Sequence, residues 1–388
     1  MHRFMLLAAV GLLWPAAVGA TPFTPTNDSQ ILEHLPNRPT DPTYRELQGL
    51  RNELQRSPRK LEVAVKVARR YIEQGRIDAD PRYNGYAQAA LAPWWNAPHP
   101  PPSVLILRAT LRQSNHDFDG ALADLNLAAV ATPNDGQVWV TRGLVHQVRG
   151  EYAQAKRDCV SLLHLSTELV AVTCLAGVSS LEGRATLSSA LIEKVLARSP
   201  KATKAEQLWA HTVLGEIAVR QGNFKRAETD FKKGMALGSD NYLLGAYADL
   251  LNAQGRFQEA IALLKDQTRS DNLLLRLAIA ENQLHTPQAS EHIAALQARF
   301  KASHQRGDVV HRREEARFRL ELLKDAKGAL TLALANWQVQ REPADLRILL
   351  AAAVGAGNPS TAKPALDWCA QNHLEDVQVA SLRHQLGG

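Results

Sequence analysis

The sequence repeats itself. Leu105, Ala109, Phe118, Ala121 and Leu125 are matched 34 positions later by Trp139, Gly143, Tyr152, Ala155 and Cys159. The frame returns downstream with an offset of 33, where Gly215, Gly222, Phe224, Ala227 and Phe231 are followed by Ala248, Gly255, Phe257, Ala260 and Leu264. A unit of this length is one supersecondary element, which buries its apolar face only by stacking on its neighbours. Apolar residues recur at helical spacing and no sustained alternation is present, so each unit reads as two helices. The small residues let those helices approach, and the aromatic ones fill the space beside the turn. Gly150, Gly222 and Gly255 stand where a first helix stops in the left-handed conformation, and Pro133 and Pro200 fall between units.

These positions resemble the tetratricopeptide repeat family, whose pattern runs Trp/Leu, Leu, Gly/Ala, Tyr, then Ala, Phe, Ala and Pro. The unit at 102–135 carries Leu105, Ala109, Ala121, Leu125, Ala128 and Pro133; that at 136–169 adds Trp139, Gly143 and Ala155; that at 208–241 adds Leu214, Gly215, Ala227 and Phe231. The match is strongest over 102–168 and 208–270 and extends over about 44–386. The resemblance implies an all-α chain, a right-handed TPR-type superhelix (an α-α solenoid) of about eight helix-pair repeats, and an exported bacterial TPR-repeat protein. Two stretches depart from the pattern. After Arg76 an insertion with Tyr83, Gly85 and Tyr86 displaces a second helix, and a proline run at 98–102 reads as a stiff connector able to hinge the N-terminal segment. The unit at 170–200 lacks its aromatic residue.

The expected organisation is therefore a signal peptide at 1–20, a flexible leader at 21–43 and N-terminal helical repeats with the insertion at 44–97. The connector at 98–102, a core array at 103–270 and divergent C-terminal helical repeats at 271–388 follow. The signal rests on Arg3, the apolar run from Phe4 to Trp14 and the small residues Val18, Gly19 and Ala20. It places the mature chain in the periplasm or outside the cell, with no transmembrane segment after cleavage and scope for peripheral envelope association. The formal net charge of +6 is spread along the chain, without a dense basic run, so nucleic acid is not an expected partner. Three cysteines make no disulfide framework. Cys159 and Cys174, on helices that pack together, are either one disulfide clipping adjacent units or two small buried apolar residues; Cys369 is expected as a free, buried thiol.

Catalytic signatures are sparse. Ser57–Lys60 and Ser360–Lys363 satisfy an S-x-x-K spacing but lack its companion motifs and scaffold. The pairs His285/His292 and His304/His311 could each share a helix face, yet a metal needs further ligands at fixed geometry. No cofactor and no enzymatic activity are expected. The densest charged segment, His311–Phe318, either faces the groove and grips a ligand or forms a solvated helix face. In tetratricopeptide arrays the first helices line the concave side. That implies groove positions at Gln137, Leu144, Gln147, Trp209, Glu216, Arg220, Tyr242, Asp249, Asn252, His311, Glu314, Phe318 and Glu321. The expectation is a protein-interaction scaffold of the bacterial cell envelope that binds a partner protein or peptide there. The alternative is a periplasmic metal- or small-ligand-handling protein using the segment near 311–318.

Overall fold

From Pro42 on, residues of high helix propensity dominate and the described chain is helical. The computed structural model of the chain describes residues 27, 29, 41–78, 80–238, 240–308 and 310–387. The signal peptide expected at 1–20 and most of the leader lie outside them. Among the described residues there are 21 α-helices, two short 3-10 helices and no strand. Helix α1 (Pro42–Arg56) runs across the division between a first unit, residues 1–46, and a second, residues 47–388, which holds the repeats.

Within the second unit, α2 (Leu61–Asp78) pairs with α3 (Arg82–Ala90), followed by the single turn α4 (Ala92–Trp95). Eight further pairs follow. They are α5 (Pro102–Ser114) with α6 (Phe118–Ala131), α7 (Gly136–Val148) with α8 (Tyr152–Ser161), and α9 (Glu168–Ser179) with α10 (Ala185–Ala197). Next come α11 (Lys204–Arg220) with α12 (Phe224–Leu237), α13 (Asn241–Ala253) with α14 (Phe257–Leu264), and α15 (Asp271–Gln283) with α16 (Ala289–Gln305). The last are α17 (Arg312–Glu321) with α18 (Ala326–Trp337) and α19 (Pro343–Gly355) with α20 (Lys363–Gln371); α21 (Val377–Gln385) ends the array.

One local device is used at the turn inside every one of these eight pairs. The residue beyond the first helix has φ between 54° and 75°: His116, Gly150, Gly183, Gly222, Gly255, His285, Lys324 and Gly357. The sequence singled out three of the glycines. His116, His285 and Lys324 take the same conformation at a cost of about 1–2 kcal/mol each, because their Cβ crowds the backbone. Starts are fixed as locally: Asp117, Asn223, Asp240, Ser270 and Asp325 each accept a backbone N–H of the helix that follows.

Small residues decide how closely the helices pack. Ala121, Ala155, Ala227 and Ala260 are fully buried, and a Cβ added at Gly215 would lie 2.3 Å from the Phe231 ring. Buried ion pairs recur with the repeat: Arg108 meets Asp124 and Arg142 meets Asp158, each at 2.6 Å and both 34 positions apart from their counterparts. The unit at 170–200 packs without its aromatic residue, since Leu169, Val172, Ala176, Ile192 and Val195 share a core with Leu214 and Ile217 of α11.

Two expectations about the N-terminal end change. The stretch around Tyr83, Gly85 and Tyr86, expected as an insertion before the second helix, is itself helical: it is α3, which supplies the second helix of the first pair, with the rings of Tyr83 and Tyr86 edge-on at 5.8 Å. The proline run does not hinge two bodies, because Val67, Tyr71 and Leu91 before it and Val104, Leu107 and Leu111 after it belong to one buried cluster.

The path of the array coils back on itself. The turns at Gly150, Gly183 and Gly222 rest on Trp368, His373 and Val377 of the last repeats, and Asn241 at the start of α13 donates to the Arg76 carbonyl at 3.0 Å. The concave side of the central repeats is thereby walled in by α17, α19 and α21.

Candidate functional site

That coiling leaves a cavity of about 450 Å³, lined by first helices α7, α11, α13, α15, α17 and α19 with Tyr152 from α8 and Gln378 from α21. Eight of the expected groove positions meet on its wall: Gln147, Glu216, Arg220, Tyr242, Asp249, Asn252, Glu314 and Glu321. Five do not. Gln137 is exposed at the start of α7 and donates to Thr141, Leu144 is half-buried, Trp209 leans on the core around Tyr152 and Cys159, and His311 is exposed before α17. Phe318 corrects the expectation most plainly: it is 2% exposed and packs on Phe300 at 5.3 Å. On α17 the stripe Arg313, Glu314, Arg317 and Glu321 takes the cavity side, and Phe318, one residue or about 100° around the helix from Arg317, turns into the core.

The wall is charged, and most of its charges answer one another. Asp249 accepts from Arg276 at 2.6 Å and from Arg317 at 2.5 Å, and Arg317 also reaches Glu321 at 2.8 Å. Burial raises the Asp249 carboxyl, but the two guanidiniums more than offset it and hold it at about 2. Arg313 sits 2.7 Å from Glu342 and 3.5 Å from Asp345, while burial pushes Asp345 up to about 7. Burial also raises the carboxyl of Glu216, which accepts the Tyr242 hydroxyl. The segment at 311–318 is thus neither fully solvated nor wholly free for a ligand: its cavity face is paired within the fold.

Several wall residues were missed by the sequence reading, although the period would have found two of them, Arg276 and Gln283. Arg276 and Gln283 stand 34 positions after Tyr242 and Asp249, and Arg347 stands 34 after Arg313. The expected positions pass over the unit after residue 270 and resume at His311, so Arg276 and Gln283 fell between them.

The remaining sequence candidates lie elsewhere. Cys159 and Cys174 are joined, with Cα atoms 5.5 Å apart, linking α8 to α9. Cys369 is half-buried rather than fully buried, and burial raises its thiol. His292 pairs with Glu281 and His304 with Glu315, both at 2.6 Å, and among the described residues no group of three or more His, Cys, Asp or Glu could hold a metal ion. Lys363 of one S-x-x-K stretch is engaged by Asp367. Among the described residues no helix is long and apolar enough to cross a membrane.

No family model and no curated protein matches the sequence. Solved structures do align. A tetratricopeptide repeat protein from Parabacteroides merdae matches at 16% identity over 57% of this chain and 84% of that one, with a TM-score of 0.41. Yeast Tom70 matches at 16% identity over 84% of this chain and 62% of its own, with a TM-score of 0.44. The Cut9–Hcn1 assembly matches at 11% identity over 89% of this chain, which spans about half of that one (52%), with a TM-score of 0.41. Helix pairs spaced by 33 to 34 residues over much of the array and a left-handed residue inside each of eight pairs give the chain a helical-repeat fold of the tetratricopeptide type.

Proposed function

We propose that the chain is a non-enzymatic scaffold of the bacterial cell envelope that holds a partner protein or peptide on its concave side. The observation that supports this reading is the convergence of polar and aromatic side chains from six first helices on one wall. Such a wall reads successive groups of an extended partner, each repeat contributing one or two contacts. Placement in the envelope rests on the N-terminal reading around Arg3 and Phe4–Trp14. The cavity size sets a limit on what enters: about 450 Å³ receives a chain end or a few side chains, while the rest of a partner would lie along the rim. A photo-crosslinking amino acid placed at Tyr242 or Gln147 in cells tests the reading. A reproducible protein adduct supports it, and adducts to small molecules alone or to no protein, with the bait folded, would sink it.

A second reading has an observation of its own. Arg313, Glu314, Arg317 and Glu321 all reach the cavity, whose volume lies in the range of small-molecule sites, roughly 300–1,000 Å³. This supports a small-ligand role for the same wall. Titration of the purified chain with small polar ligands tests it, and the absence of any saturable binding would count against it.

A further inference from the structure

One charge on the cavity wall is not answered. Arg220 is 6% exposed; its Nη2 donates to Ser180 Oγ at 2.6 Å, its Nε has no hydrogen-bond partner, and among the described residues it makes no ion pair. A guanidinium does not shed its proton to escape this position, so the cation stays. Leaving a charge buried and unpaired costs several kcal/mol. Its surroundings make the imbalance sharper. Arg347 lies on the same wall, and the acids nearest these two cations are Glu216 and Asp376; Asp376 Oδ1 is taken by the backbone N–H groups of Gln378 and Val379, and its Oδ2 lies 3.3 Å from Arg347 Nε. Neither acid comes within ion-pair distance of Arg220. Glu216, the nearest acid on Arg220's own helix, is bonded to Tyr242 instead.

A neutral donor stands beside them. Tyr152 is 2% exposed, its ring leans on Trp368 at 5.7 Å, and its hydroxyl has no partner although it lies on the cavity wall. The Arg220 Nε–H and the Tyr152 O–H are two donors without acceptors, beside the Arg347 guanidinium, whose Nη1 donates to Gln378 Oε1 at 3.0 Å and whose Nε faces Asp376. Carboxylate and phosphate oxygens are the groups such a set binds best, through charge-assisted hydrogen bonds.

We propose that the end of the cavity walled by Tyr152, Arg220 and Arg347 binds one anionic group, a carboxylate or a phosphate, carried by a small molecule. A cavity of about 450 Å³ takes up a small molecule whole, whereas a polymer would enter only by its end. The site goes beyond the partner reading above and does not depend on it.

Calorimetric titration of the purified full chain in low-chloride buffer, with inorganic phosphate in one arm and succinate in the other, tests the proposal. Saturable one-to-one binding in either arm is expected, and the arm that binds names the group. Arg220→Gln should weaken that binding at least tenfold. Tyr152→Phe, which keeps the ring on Trp368, should weaken it about three- to tenfold. Arg256→Gln, which removes a surface partner of Glu228 and Glu259 away from the cavity, should leave it unchanged. Circular dichroism of each variant shows whether the fold is kept, and if Arg220→Gln does not fold, Tyr152→Phe decides. Absence of saturable binding by the parent chain in both arms overturns the proposal, as does unchanged affinity in the folded variants. Neither result bears on whether a protein adduct forms at Tyr242 or Gln147.

Discussion

The backbone N–H of Arg341 donates to the carbonyl of Val148 at 2.7 Å, tying the loop before α19 to the end of α7. Next to this bond stands Gly150, at φ 74°, where an added Cβ would lie 2.8 Å from the Trp368 ring and 3.1 Å from Arg341 Cβ. Gly150→Ala should therefore combine left-handed strain with a clash at the seam, and cost about 1–3 kcal/mol in urea unfolding. Gly255→Ala, at φ 70° with open space around it, carries the strain alone and should cost less. Equal losses in the two variants would mean the seam is not closed in solution.

Phe318 separates a core position from a groove position. Because it is buried against Phe300, Phe318→Ala should destabilise the chain by about 3–5 kcal/mol. A surface residue would change stability by roughly 0.5 kcal/mol or less, so thermal unfolding of this one variant decides the register of α17.

Helix spacing inside a repeat is set by Gly215. With the Phe231 ring filling the place of its missing side chain, Gly215→Ala should overpack the α11–α12 contact and cost about 1–3 kcal/mol. Pairing it with Phe231→Leu should recover part of the loss if the clash is the cause, and none if it is not.

The Cys159–Cys174 bridge closes a short loop, with a sequence separation of 15. Replacing both cysteines by Ala, or reducing the bridge, should cost about 3 kcal/mol by constraint of the unfolded chain. Unfolding midpoints that are identical with and without reductant would show that the bridge does not form in the purified protein.

Stability should fall on both sides of a weakly acidic optimum. Asp345, raised to about 7 from a usual value near 3.8, keeps a proton in the folded chain that the unfolded chain has lost, so its contribution is full below about pH 3.8 and is lost as pH rises towards 7. Asp249, held at about 2, acts in the opposite sense: its contribution is full above about pH 4 and is lost as pH falls towards 2. Urea midpoints measured from pH 3 to 8 should show both limbs, and Asp345→Asn should flatten the one between pH 5 and 7. An unaltered slope in that variant would remove Asp345 as its source.

Much of the fold could be read from short-range chemistry. The 34-residue offset, Gly150, Gly222 and Gly255 at the turns, and the small residues Ala121, Ala155, Ala227 and Ala260 specify helix pairs, because each acts within one unit or between two neighbours. The same locality shows which residues lie on first helices, and so brought Gln147, Glu216, Arg220, Tyr242, Asp249 and Asn252 to one wall. His116, His285 and Lys324 escaped notice because their left-handed turns are imposed by the stacking of the repeats against the residues' own preference. The tertiary structure alone decided that the concave side would be a walled cavity, since the small rotation at each repeat accumulates over the whole array until Trp368, His373 and Val377 meet turns far back in the chain. It also decided which charges are answered. Asp249 finds Arg317 and Arg313 finds Glu342 only once distant helices are brought together, and Arg220 is left without an ion-pair partner for the same reason.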